Sequence, residues 1–174
     1  MPRREPDHVD RIVAQWRRER PDLDVSALAL LGRLLRVAHL SDLALAEGTA
    51  RHGLRAGWFD LLAALRRTGP PFELRPTDLM EATMLSSGGI TKRLDRLAAA
   101  GLVERCPDPE DRRSAPVRLT RKGRALVDRA LPAHLTNEER LLEALSPADR
   151  RTLDHLLRRL LADLDSSTTH SRTG

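Results

Sequence analysis

The stretch SSGGITKRLDRLAAAGLVERCPDPEDRRSAPVRLTRKG, residues 86–123, decides the fold. After two serines and two glycines it sets Ile90, Leu94, Leu97 and Ala98 at spacings of three and four, one apolar face of a helix. Ser86 is placed to cap that helix, and Gly101 suits the position past its end. Thr91, Lys92, Asp95 and Arg96 fall on the opposite face. Residues 102–106 and 116–119 read as two short strands. The turn between them starts at Pro107-Asp108-Pro109 and carries Arg112 and Arg113. A polar, basic helix face thus stands beside an arginine-tipped hairpin.

Working outward, Pro76 opens a helix that carries Leu79 and Met84 and ends near residue 85. Two helices joined by so short a turn predict a helix-turn-helix. Upstream, residues 9–20 form a helix with Val9, Ile12, Val13 and Trp16 on one face, ended by Pro21. Residues 26–48 form a longer one with Leu30, Leu34, Val37 and Leu45 as its apolar positions. A third, 56–67, carries Phe59, Leu62, Ala63 and Leu65 before the punctuation Thr68-Gly69-Pro70-Pro71. Downstream, Thr120 caps a helix through residue 131, with a kink expected at Pro132. Ser146-Pro147 starts a last helix bearing Leu153, Leu156, Leu157, Leu160, Leu161 and Leu164. The polar tail, 166–174, is expected to be disordered.

Charge narrows the function. Residues 86–123 hold nine basic and five acidic side chains, an excess of four, while the whole chain of 174 residues carries +5. So concentrated an imbalance favours a polyanion partner, and a helix with this outward face fits a DNA major groove. Ser86, Ser87 and Thr91 can bond phosphate or a base edge, Lys92, Arg93 and Arg96 can reach guanine or backbone, and Arg112 and Arg113 can meet an adjacent minor groove. The competing reading is a helical protein-interaction module whose basic hairpin is a solvated face. The leucine stripe of the last helix is either intramolecular core or the seam of a two-fold dimer, which would present two such helices to a palindrome.

Other classes fare poorly. No apolar run approaches a membrane span, the start MPRRE does not read as a signal peptide, and the single cysteine, Cys106, suits a reducing cytoplasm. The six histidines form no close metal-ligand pattern, and no glycine-rich phosphate loop or acyl-transfer triad is present, so neither a cofactor nor an enzyme is expected. Arg105 beside Cys106 suggests a lowered thiol pKa and a candidate redox sensor.

The run DPEDRRSAPVRLTRKG with the preceding MLSSGGITKRLDRLAAAGLVER resembles the MarR family of winged-helix transcriptional regulators, over about residues 26–164. The wing pattern is carried by Asp111, Arg113, Leu119, Thr120 and Gly123. The resemblance implies an α+β, mainly helical fold: a winged helix-turn-helix with N- and C-terminal dimerisation helices. The parts would be N-terminal helices 1–54, a DNA-binding domain 55–123 with recognition helix 86–100, and C-terminal helices 124–165. It also implies a homodimer on double-stranded palindromic DNA, nucleoid-associated when bound, and a repressor or activator that loses affinity on ligand binding or thiol oxidation.

The added first helix, VDRIVAQWRRERPDLD, resembles the urate-responsive, PecS-like branch of that family. That likeness implies a ligand site of Trp16, Asp60, Arg67, Arg93 and Arg105 for a small anionic effector, urate or a related purine first and trans-aconitate second. An indole can stack on a flat ring, and arginines pair bidentately with anions. Simpler roles exist for each: packing for Trp16, a helix-start residue for Asp60, a solvated helix end for Arg67, DNA contact or wing support for Arg93 and Arg105. Thr68 stands where the urate sensor usually carries asparagine, so the likeness reaches the pocket and not the identity of the anion. A constitutive DNA-binding regulator is the remaining alternative.

Overall fold

The computed structural model describes residues 5–55, 57–83, 89–107 and 115–170. The chain divides into two compact units, 1–133 and 134–174. In order the elements are α1 (His8–Glu19), α2 (Ser26–Ala50), α3 (Trp58–Arg67), β1 (Glu73–Leu74), α4 (Pro76–Ala82), α5 (Ile90–Ala99), β2 (Val103–Arg105), β3 (Val117–Leu119), α6 (Arg121–Leu141) and α7 (Pro147–His170). The strands form one antiparallel sheet in the order β1-β3-β2.

The first unit is built around α3. Its Leu61, Leu62, Ala64 and Leu65 are fully buried, so this short helix is covered on almost every side. Against it pack α4 through Leu79, α5 through Ile90, Leu94 and Leu97, the sheet through Val103, Val117 and Leu119, and α6 through Val127 and Ala130. The α5 stripe read from spacing is therefore the buried one. Strand β3 holds the centre of the sheet because Val117 and Leu119 face the core. Its middle residue, Arg118, turns the other way and lies in register between Glu73 of β1 and Glu104 of β2, a cross-strand row of alternating charge. Strand β1 was not expected from the sequence, since two residues show no periodicity.

Several expectations change. Helix α5 begins at Ile90, with Gly89 as its N-cap at φ 97° and no side-chain cap. That left-handed residue turns the chain off the helical path, so the helix is shorter than 86–100, and Ser86 and Ser87 lie outside the described residues. In α2, Leu30 and Val37 are 72% and 61% exposed rather than inward, and only Thr49 is fully buried. Trp16 is exposed although Val9 and Val13, on the same face of α1, are buried against α2. Helix α7 runs on to His170, past the point where the polar tail was expected to lose order. Pro132 lies inside α6, which continues through it to Leu141.

The added helix α1 is anchored by charge. Asp7 and Asp10 form a reciprocal capping box, Asp7 Oδ1 accepting from Asp10 N at 2.8 Å. Arg33 of α2 then donates to both carboxylates, to Asp7 Oδ2 at 2.8 Å. The Arg33 guanidinium and the Asp10 amide hold the Asp7 carboxyl down to about 2 from its ordinary 3.8. A depressed carboxylate contributes to docking above its unfolded pKa, and that contribution is lost as pH falls through the folded value. Hydrogen-exchange protection of the Val9–Trp16 amides should therefore fall between about pH 4 and pH 2. Asp7→Asn should lack that acid-dependent step and be less protected at neutral pH; an identical acid profile in the variant would remove Asp7 from this role.

Candidate nucleic-acid interface

Helix α5 presents Thr91, Lys92, Asp95 and Arg96 to solvent, on the face opposite its buried stripe. Its C-terminal end is clasped by the start of α6. Lys122 Nζ donates to the Ala100 carbonyl at 2.8 Å, Thr120 Oγ1 to the Gly101 carbonyl at 2.8 Å, and Thr120 N to the Leu102 carbonyl at 3.1 Å. Carbonyls at a helix C-terminus lack intrahelical partners, and a cation there suits the helix dipole. Thr120 was legible as a cap, and Gly123 N does donate to its Oγ1 at 3.0 Å. That the same Thr120 and Lys122 hold the end of α5 was not, because the partner carbonyls come from another element.

Arg93 behaves unlike its neighbours. It folds inward over the N-terminal end of α3, where a Cβ on Gly57 would sit 3.0 Å from Arg93 Nε and 3.4 Å from Cδ. Gly57 has φ 73°, a backbone angle that favours glycine, and any Cβ there would press on the Arg93 side chain. Arg93 Nη1 is buried with no hydrogen-bond partner among the described residues. A buried donor left unmatched costs about 1–3 kcal/mol, so it is a place where an acceptor would be stabilising. Asp60, in the first turn of α3, is half-buried nearby in sequence.

The remaining expected ligand residues are dispersed. Arg67 lies seven residues beyond Asp60, about 10 Å along α3, and donates to the Ala82 carbonyl at the end of α4. Arg105 Nη2 donates to Asp95 Oδ1 at 2.8 Å, tying β2 to α5. Trp16 stands on α1, which packs on α2. Among the described residues, no hydrogen bond or ion pair joins any two of Trp16, Asp60, Arg67, Arg93 and Arg105. Thr68 Oγ1 bonds back to the Leu65 carbonyl of its own helix at 2.8 Å. Arg112 and Arg113 lie outside the described residues, as does Asp111.

Cys106 is corrected by its surroundings. Its thiol donates to Glu73 Oε2 at 3.2 Å on the outer side of the sheet, and burial followed by that carboxylate pushes its pKa up rather than down. Glu73 is itself held below its ordinary value, first by the Arg118 guanidinium at 2.9 Å and then by the thiol. Arg105, the adjacent cation, points away to Asp95, because successive strand residues face opposite sides.

A core of three helices, the last with a polar outer face and followed directly by a two-stranded hairpin, defines a winged helix-turn-helix, a DNA-binding architecture. Residues 52–114 match the model of the MarR family. The chain is 42% identical to the HTH-type transcriptional regulator PecS of Dickeya dadantii, over 87% of this chain and 92% of PecS. Among solved structures it is similar to a mutant MarR of E. coli complexed with operator DNA, at 29% identity and TM-score 0.68, over 79% of this chain and 97% of that one. It is also similar to BpsR of Bordetella bronchiseptica, whose DNA binding is regulated by 6-hydroxynicotinic acid, at 30% identity and TM-score 0.67, over 75% and 98% of the two chains. This chain belongs to the MarR family of DNA-binding transcriptional regulators, and these relatives are regulators rather than enzymes.

Proposed function

We propose that the chain acts as a homodimeric repressor that leaves a palindromic operator when a small, flat anion binds, urate or a related purine before trans-aconitate. The observation that carries this reading is Arg93: a guanidinium of the recognition helix, turned inward over Gly57, with a buried Nη1 lacking a partner among the described residues. An anion lodged there would attach to α5 itself, so its binding would be felt by the helix that meets DNA. Asp60 would repel the new charge, Arg67 and Arg105 would supply further donors, and Trp16 would cover the ring. The regulation of BpsR by 6-hydroxynicotinic acid, another flat heteroaromatic acid, supports this class of effector. Exposed leucines on α2, and separately on α7, support a second copy of the chain as partner. For release to follow, the anion must bind the DNA-free arrangement more tightly; equal affinity would shift nothing.

The test is an operator titration on the chain's own upstream DNA with and without urate, related purines, 6-hydroxynicotinate and aconitate. Urate should release the DNA, and Arg93→Gln should respond poorly. Arg96→Ala and Arg113→Ala should each weaken binding by about 1–3 kcal/mol, and operator variants should separate loss of base discrimination from loss of phosphate affinity. Saturated protein that holds its operator unchanged would refute effector control, and two normal arginine variants across a salt titration would refute the footprint.

A further inference from the structure

Asp95 is the one carboxylate on α5. It stands on the exposed face with Lys92 one turn before it and Arg96 beside it. A free carboxylate on a surface that approaches phosphates opposes binding. It is not free here: Arg105 reaches across from β2 and donates to Oδ1 at 2.8 Å, with side chains 35% and 60% exposed. A pair this wet adds little to stability. Its electrostatic consequence is larger, because it neutralises the only negative charge on the recognition helix.

We infer that Arg105 is a charge mask for Asp95, and that a small anion taking Arg105 for itself unmasks Asp95 toward the DNA. The second half rests on the effector reading above; the first half does not. The arithmetic of charge is simple. Before the exchange, Asp95 and Arg105 neutralise each other. Afterwards Arg105 neutralises the ligand, and a full negative charge is left on the face of α5. Arginine is suited to the exchange because its planar fork pairs with a carboxylate or an anionic heterocycle in the same way. Ligand and DNA then oppose one another with no large movement of α5, since each favours a different partner for Arg105.

The mask is tested without any effector by a double-mutant cycle on the full-length chain. Operator affinity is measured for the native protein, Arg105→Gln, Asp95→Asn and the double variant, with circular dichroism as a check on folding. Arg105→Gln should weaken binding roughly ten-fold, Asp95→Asn should bind at least as tightly as native, and the double variant should recover to within about two-fold of native. Native affinity in Arg105→Gln would overturn the mask. So would a double variant as weak as Arg105→Gln, because Arg105 would then be a direct phosphate contact, with a salt slope lower by about one. Urate, followed by calorimetry and by DNA release, tests the exchange. Asp95→Asn should bind urate more tightly yet release DNA less, an opposed pair of changes that a purely structural role would not produce. Equal binding and equal release in native and Asp95→Asn would overturn the exchange. Failure of urate to bind the native chain would sink the effector reading and the exchange with it, while the effector-free cycle still decides the mask.

Discussion

Gly123→Ala is expected to lower the stability of the first unit by about 3 kcal/mol and to weaken operator binding with it. A Cβ at this position would collide with the Leu102 carbonyl, which is backbone and not the end of a flexible side chain that could yield, and would also press on Leu119 Cδ2 at 3.2 Å. The first turn of α6 would have to lift away. It would take with it the Thr120 and Lys122 bonds to the Ala100, Gly101 and Leu102 carbonyls, which fix the end of the recognition helix. Stability and DNA affinity should therefore fall together, because the same contact serves both. Urea unfolding and an operator titration measure the two; a midpoint equivalent to less than about 0.5 kcal/mol from native would show that the site relaxes freely.

The second large effect concerns assembly. Leu157→Glu with Leu161→Glu is expected to convert the proposed homodimer to monomer or to insoluble chain. Helix α7 exposes Leu153, Leu156, Leu160, Leu161 and Leu164, with Leu157 partly covered, at spacings that line one face. Each carboxylate forced into an apolar seam costs on the order of several kcal/mol, and two-fold symmetry doubles the charge. Sedimentation velocity reads the outcome directly. A well-folded variant with the native sedimentation coefficient would move these leucines off the interface.

Thr120→Ala and Lys122→Met bear on the same clasp as Gly123, yet of these three only Thr120 could be assigned a role from the residues themselves, as a helix cap; Gly123 came in, with Thr120, only through the resemblance to the family's wing. The inward residues of α5 were equally legible, since a stripe at three and four fixes which side is buried wherever a core exists to receive it. Spacing failed where a stripe has no cover in its own chain. Leu30 and Val37 of α2 are as apolar as Leu94 and Leu97, and yet they face solvent. Trp16 continues the face of Val9 and Val13 but stands beyond what α2 covers.

The sequence by itself determined the helix-turn-helix, the hairpin that follows it and the family, because helix periodicity, turn chemistry and local motifs are properties of neighbouring residues. Only the tertiary structure decided where the long cations go. Arg93 turns inward to Gly57 while Lys92 and Arg96 stay outside; Arg105 takes Asp95 ten residues away; Arg118 takes Glu73 at a separation of 45, and Arg66 takes Asp128 at 62. An arginine side chain has several rotatable bonds and about 2 kcal/mol of rotamer entropy, so no periodicity fixes its direction. Its partner is whichever acceptor the packed helices and strands bring within reach, and here those choices set the charge on the face of α5.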